Sequence, residues 1–277
     1  MREYLAIPIQ IGQTLEELRQ KKPIIHHITN YVTVNDCANI VLAIGASPIM
    51  ADDIGEVEAI TAISSALVLN IGTLNQRTIS SMLAAGKKAN QRNIPVILDP
   101  VGAGASELRN QTVTRLLEQV KISILRGNMS EIRFISGLEA STKGVDAAES
   151  DIAKSDQSGM EIAKSLAKKL NAVVAITGAT DLISDGKRTV QIQNGHPMLS
   201  YVTGTGCMST SLVGAFAGVT SDYFLAASAG ITCMGIAGEI AYETAGSKGT
   251  GSYHGAIIDS ISTLNPQMIV KKAKTLE

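Results

Sequence analysis

Ala66-Leu67-Val68-Leu69-Asn70 is apolar at every position but its last, and Gly72 closes it. A strand without polar alternation has both faces covered, the habit of parallel strands inside α/β proteins. Similar runs recur as Pro95-Val96-Ile97-Leu98 before Asp99-Pro100, and as Ala172-Val173-Val174-Ala175-Ile176 before Thr177-Gly178. Segments with helical spacing separate them. The pattern predicts helix 12–22, strand 23–29 leading to Asn30 and Tyr31, helix 33–43, strand 47–50 and helix 55–63. After strand 66–70 it predicts helix 75–92, strand 95–98, helix 106–120, strand 122–126 and helix 128–136. Helix 159–170 and strand 172–176 follow, then a hairpin at Asp185-Gly186 joining 181–184 to 188–192, then a helical C-terminal third. Such alternation specifies an α/β fold: a mostly parallel central sheet between two helical layers.

Residues 138–157 are polar and weakly patterned, and read as a surface excursion within one domain covering 1–277. A chain of 277 residues, 45% hydrophobic and 18% charged, can bury a large core. A net charge of -1 without a basic block argues against nucleic acid or an acidic membrane surface as partner. Three scattered cysteines give neither a disulfide framework nor zinc spacing. Arg2, Glu3, Glu16 and Glu17 leave no apolar signal core near the N-terminus, and apolar runs are interrupted short of a membrane span. The expectation is a cytoplasmic protein with no membrane contact.

Ligands of open α/β sheets bind beyond the carboxyl ends of the strands. The residues there are Thr29-Asn30, Met50, Asn70 to Gly72, Asp99-Pro100, Arg126-Gly127-Asn128 and Thr177-Gly178. Taken singly, Asn30 and Asn70 are better explained as turn or cap residues. Together the positions suit phosphoryl transfer. Arg126 offers a permanent cationic fork for phosphate oxygens. Asp99 and Glu131 are hard oxygen donors suited to magnesium, directly or through its waters. The glycine loop Gly204-Thr205-Gly206-Cys207 opens a long apolar helical stretch, so free N–H groups and the helix dipole face an anion there. No G-x-x-x-x-G-K-[ST] occurs, and Gly102-Ala103-Gly104 lacks the spaced third glycine of a dinucleotide fingerprint.

Asn128-Met129-Ser130-Glu131, Ile176-Thr177-Gly178 and Gly204-Thr205-Gly206-Cys207 resemble the ribokinase-like superfamily. His27-Ile28-Thr29-Asn30-Tyr31-Val32-Thr33, Gly45-Ala46-Ser47-Pro48-Ile49-Met50, Leu98-Asp99-Pro100-Val101-Gly102 and Arg126-Gly127-Asn128 are similar to its hydroxyethylthiazole kinase branch. The resemblance runs from near residue 26 to at least residue 218. It implies a three-layer αβα ribokinase-like fold and ATP-dependent, magnesium-assisted phosphorylation of 4-methyl-5-(2-hydroxyethyl)thiazole, a thiamine salvage step. It also implies a homotrimer with active sites between subunits. By the same resemblance Met50 lines the thiazole pocket, Asn30 is a polar substrate neighbour, and Gly204 lies beside the substrate hydroxyl. Arg126 and Thr177 touch nucleotide phosphates, while Glu131 and Asp99 are linked to magnesium. Gly204 and Gly206 would frame the transferred group. Met129 stands where the family usually has a smaller residue, which shifts packing next to Glu131, and 138–157 is longer than the family's segment.

Ribokinase-like enzymes mostly place an aspartate base where Cys207 stands, and the thiazole kinases have cysteine. Two roles are open: a thiolate base at a helix N-terminus, or a small side chain that only positions the hydroxyl. His26 and His27 occupy consecutive strand positions, so at most one faces the site and a zinc pair does not fit. Cys37 and Cys233 read as core residues on apolar helix faces, and the small residues at 226–238 as close helix packing. Rival readings are an ATP- or ADP-dependent hydratase of damaged nicotinamide cofactors, a binding protein without catalysis, and a kinase for a related vitamin alcohol.

Overall fold

The computed structural model describes residues 6–137 and 149–277. The chain runs α1 (Ile7–Lys21), β1 (Ile24–Ile28), α2 (Val34–Ile44), β2 (Ser47–Met50), α3 (Val57–Ala62), β3 (Ala66–Asn70), α4 (Gln76–Gln91) and β4 (Val96–Asp99). Next come α5 (Glu107–Gln119), β5 (Ile124–Asn128), α6 (Met129–Ser136), α7 (Glu149–Leu170), β6 (Val173–Thr177), β7 (Asp181–Ser184) and β8 (Thr189–Ile192). The last elements are α8 (Thr205–Ala217), α9 (Tyr223–Ala245), α10 (Thr250–Thr263), α11 (Pro266–Lys272) and β9 (Thr275–Leu276).

Among the described residues the strands form one nine-stranded sheet in the order β2-β1-β3-β4-β5-β6-β7-β8-β9. From β2 to β6 every neighbouring pair is parallel, and β6 to β9 are antiparallel. Strand residues alternate between two cores, as a pleat of period two requires. Ile25, Val68, Ile97, Ile124 and Ala175 point into a core shared with α1, α2 and α8 to α11. Leu67, Leu69, Leu98, Leu125 and Val174 point into the opposite one, against α3 to α7. The expected three layers are present.

Several boundaries differ from the sequence reading. α1 starts at Ile7 rather than residue 12, because Pro8 fits a first turn and Ile7, Ile11, Leu15 and Leu18 extend the buried stripe. β5 runs two residues later than 122–126, so Arg126 lies inside the strand rather than at its end. Residues 149–157 of the supposed excursion belong to α7, and its earlier part, 138–148, lies outside the described residues. β9, two residues long, pairs with β8 and was not foreseen. The expectation that apolar runs stop short of a membrane span also fails. Tyr223–Lys248 is long and apolar enough to cross one, but 89% of its apolar window is buried in the protein. α9 is apolar all round because the other helices of its layer pack against it. The Met129 methyl lies over Gly159 of α7, 2.6 Å from where a Cβ would stand.

Candidate active site

Parallel register brings the strand ends to one rim. Asn70 and Asp99 are direct partners across β3 and β4, and Asn128 faces Thr177 across β5 and β6. α8 enters this rim at Gly204, whose φ of 87° belongs to the left-handed region that glycine tolerates. A Cβ there would also stand 2.7 Å from Thr33 Cγ2. No side chain caps α8, so its first N–H groups stay free to meet an anion.

Arg126 crosses this helix start. Its Nη2 donates to Thr177 Oγ1 at 2.7 Å, and its Nη1 is 3.7 Å from Asp99 Oδ2, an ion pair rather than a hydrogen bond. A Cβ on Gly206 would come within 2.9 Å of Nη1, so glycine is what lets the guanidinium lie flat against α8. Arg126 Nε is buried without a partner. Asp99 is fully buried; Oδ2 accepts from Asn70 Nδ2 at 3.0 Å and Thr210 Oγ1 at 2.7 Å, whereas Oδ1 has no partner.

Cys207 is half-buried on the first turn of α8, and its Sγ accepts from Asn30 Nδ2 and Asn70 Nδ2, both at 3.3 Å. A cavity of about 540 Å³ opens beside Arg126, Thr177 and Gly206. Leu199, Ile231 and Met234 are the bulkier apolar residues on its wall. Met50 is not drawn into this group. It is half-buried at the end of the edge strand β2, opposite His27 in register.

Glu131 is tied down by backbone N–H groups. Its Oε2 accepts the Asn128 N–H at 2.8 Å while Asn128 Oδ1 accepts the Glu131 N–H at 2.9 Å, a reciprocal capping box on α6. Its Oε1 accepts the Gly102 N–H at 2.8 Å. Each oxygen keeps one lone pair, which suits holding the waters of a cation better than direct ligation. Asp99 Oδ1 is the free oxygen donor. Among the described residues no group of three or more His, Cys, Asp or Glu could hold a metal. A magnesium ion that keeps its waters and binds phosphate needs only one or two carboxylates, so this pair fits such an ion.

His26 and His27 are structural. His26 contacts Thr61 Oγ1 and the Ala51 carbonyl at 2.9 and 2.7 Å; His27 contacts Ser211 Oγ at 3.2 Å. Burial pushes the His27 imidazole down to about 4, so it stays neutral. Cys37 and Cys233 are core thiols, which burial pushes up to about 11 and about 12.

Sequence reasoning missed Thr210, one turn beyond Gly206, and Asp181, whose Oδ1 accepts the Gly178 N–H at 3.0 Å on the cavity wall. Nothing in the sequence marks Thr210. Asp181 opens a strand already recognised, and an aspartate three residues after Gly178 is a turn signal.

Burial pushes the Asp181 carboxyl up to about 7, against the Gly178 N–H and Arg126, and that of Asp99 up to about 6, against Arg126. Both acids therefore hold protons in the folded state that an unfolded aspartate has released above about pH 4. Their contribution to stability falls as pH rises from about 4 to about 7, and the whole loss is present above that. We expect Asp181→Asn to gain stability relative to the parent between pH 5 and pH 8, by on the order of a few kcal/mol. Urea midpoints at the two pH values check this; a pH-independent difference would contradict it.

The mostly parallel sheet between two helical layers is the ribokinase-like fold, which solved small-molecule kinases share. A solved pyridoxal kinase from Staphylococcus aureus in complex with ADP shares the fold at 15% identity, with a TM-score of 0.59 over 79% of this chain and 88% of that one. The chain belongs to the hydroxyethylthiazole kinase family, whose model matches residues 15–267. A hydroxyethylthiazole kinase from Clostridium beijerinckii is 66% identical over 98% of both chains. The structure of the Pyrococcus horikoshii hydroxyethylthiazole kinase superposes with a TM-score of 0.87 at 36% identity, covering 96% of this chain and 98% of that one.

Proposed function

We propose that this kinase transfers the γ-phosphoryl group of ATP to the hydroxyl of 4-methyl-5-(2-hydroxyethyl)thiazole, a step of thiamine salvage, as one domain over 1–277 in the cytoplasm. One observation carries the reading: Arg126, Thr177 and the uncapped start of α8 converge on one cavity wall, with the Cys207 sulfur on the same helical turn. The cavity is lined by both polar and apolar residues, which suits a nucleotide.

In this reading Arg126 and the α8 N–H groups stabilise the equatorial oxygens as the phosphoryl group moves, the main work of such enzymes. Gly204 and Gly206 keep side chains out of its path. Thr177 holds the Arg126 fork. Asp99 Oδ1, with Glu131 through water, would hold magnesium, which supplies charge neutralisation on the phosphates. Cys207 accepts the hydroxyl proton as the oxygen attacks phosphorus and ADP leaves. Asn30 orients the sulfur, and Met50 lines the thiazole pocket.

Tyr31 and Val32 after β1 and Ile54 after β2 are exposed, apolar side chains that support a homotrimer whose neighbouring copy closes the pocket around Met50. Sedimentation at the mass of a single chain would remove the trimer. The kinase reading is tested by magnesium-dependent ADP release on adding the thiazole alcohol, with the phosphate ester identified as product. Cys207→Asp should retain or raise kcat, since an aspartate is ionised at neutral pH and would accept the same amide donors. If it falls to the level of Cys207→Ala, the sulfur is not the base.

A further inference from the structure

Asn30 and Asn70 are almost completely buried, and a fixed donor decides how each side-chain amide is turned. Asn30 Oδ1 accepts the Thr33 backbone N–H at 3.1 Å, and Asn70 Oδ1 accepts the Gly72 backbone N–H at 2.9 Å. A backbone N–H can only donate, so the carbonyl ends are locked there and the NH2 ends must face the other way. Each NH2 then has two hydrogens to place. One hydrogen of Asn30 goes to Asn70 Oδ1 at 3.0 Å and one of Asn70 to Asp99 Oδ2 at 3.0 Å. The remaining hydrogen of each points at Cys207 Sγ, at 3.3 Å in both cases. Every hydrogen has an acceptor, and the sulfur is the shared one.

We propose that Asn30 and Asn70 form a two-amide clamp that holds the Cys207 sulfur as a proton acceptor, with Asn70 a positioning residue for the transfer. This rests on the reading of Cys207 as the neighbour of the reacting hydroxyl. Donors aimed at sulfur stabilise its anionic form and gain little from a neutral thiol. With two of the thiolate's three lone pairs taken by N–H groups, one is left to take a proton. The hydroxyl proton passes to sulfur, the oxygen–phosphorus bond forms, the bond to ADP breaks, and the thiol later returns the proton to solvent. A carboxylate of Asp99 tied to the same Asn70 amide fixes the clamp to β4.

Alkylation by iodoacetamide reads this without any substrate, because Cys37 and Cys233 are buried and Cys207 is the accessible thiol. Asn70→Asp and the neutral, similarly shaped Asn70→Leu each remove the donor; what the two share is the loss of the N–H. In protein shown to be folded by its unfolding midpoint, we expect both to slow Cys207 alkylation at neutral pH by about 10-fold or more, the worth of a hydrogen bond to a charged group. The value of kcat should fall with it, while KM for nucleotide stays within about twofold. In a Cys207→Ala background the same substitutions should cost less kcat than in the parent, since only their effect through Asp99 remains. Should one Asn70 variant fail to fold, Asn30→Asp removes the second donor and must show the same slowing. An unchanged alkylation rate in a folded variant overturns the clamp, as does an equal loss of kcat without the sulfur. Slowed alkylation in a protein that phosphorylates no thiazole alcohol would keep the clamp and dismiss the proposed reaction.

Discussion

Arg126→Ala is expected to lower kcat/KM by about 10³-fold, the scale set by removal of single donors to a transferring phosphoryl group. The side chain is only 12% exposed and holds its place through Thr177 Oγ1, the helix start at Gly206 and the nearby Asp99 carboxylate. The residue lines the cavity beside Thr177 and Gly206, where a ligand would lie. Lysine should not rescue it, because an ammonium cannot bridge Thr177 and phosphate in one plane. Loss of the guanidinium also removes the charge that pulls the Asp99 carboxyl down, so that acid should titrate higher still than about 6. Steady-state kinetics across pH, with an unfolding midpoint near that of the parent, measure both effects. A loss smaller than about 10-fold in folded protein would show that Arg126 does not face the moving charge.

The second large effect is on stability. Gly230→Val should destabilise by more than about 3 kcal/mol, enough to deplete folded protein at 37 °C. A Cβ at position 230 would sit 2.5 Å from the Val213 backbone N and 2.7 Å from its Cα. Those atoms belong to α8 and cannot rotate away, so the helices must separate, and α8 carries Cys207 at its other end. Gly251→Ala is the contrast: nothing lies within 4 Å of that Cβ, and a change within about 0.5 kcal/mol is expected. Urea unfolding of the pair tests this. Equal midpoints would mean the two helices are not in tight contact.

Much of this architecture was legible because apolar strands and amphipathic helices differ in period. The rim residues followed from the rule about strand ends, and Asn70, Asp99 and Arg126 do meet there. What could not be read was which way side chains turn once they arrive. Asn70 looked like a turn residue; it is one, through Gly72, and its other end reaches Cys207 and Asp99. Glu131 reads as a magnesium donor, direct or through water, and Asn-x-x-Glu at a strand–helix junction is also the signature of a capping box, which the structure holds. Thr210 depends on which face of α8 meets β4, and that is fixed by packing rather than by local pattern. β9 was invisible because two residues carry no period, and its partner is far away in the chain.

Asp99, Arg126 and Thr177 belong to β4, β5 and β6, each gripped by a ladder on both flanks, while Met50 ends β2, which has a neighbour on one side only. Altering an inner strand disturbs two ladders; altering the outermost one disturbs a single ladder and leaves the rest in register. Under the proposed assignment, the half that handles the phosphate donor is mechanically frozen, and the half that selects the alcohol is free to drift. A lineage built on this sheet can thus exchange one vitamin precursor for another by remodelling its border, without relearning how to move a phosphoryl group.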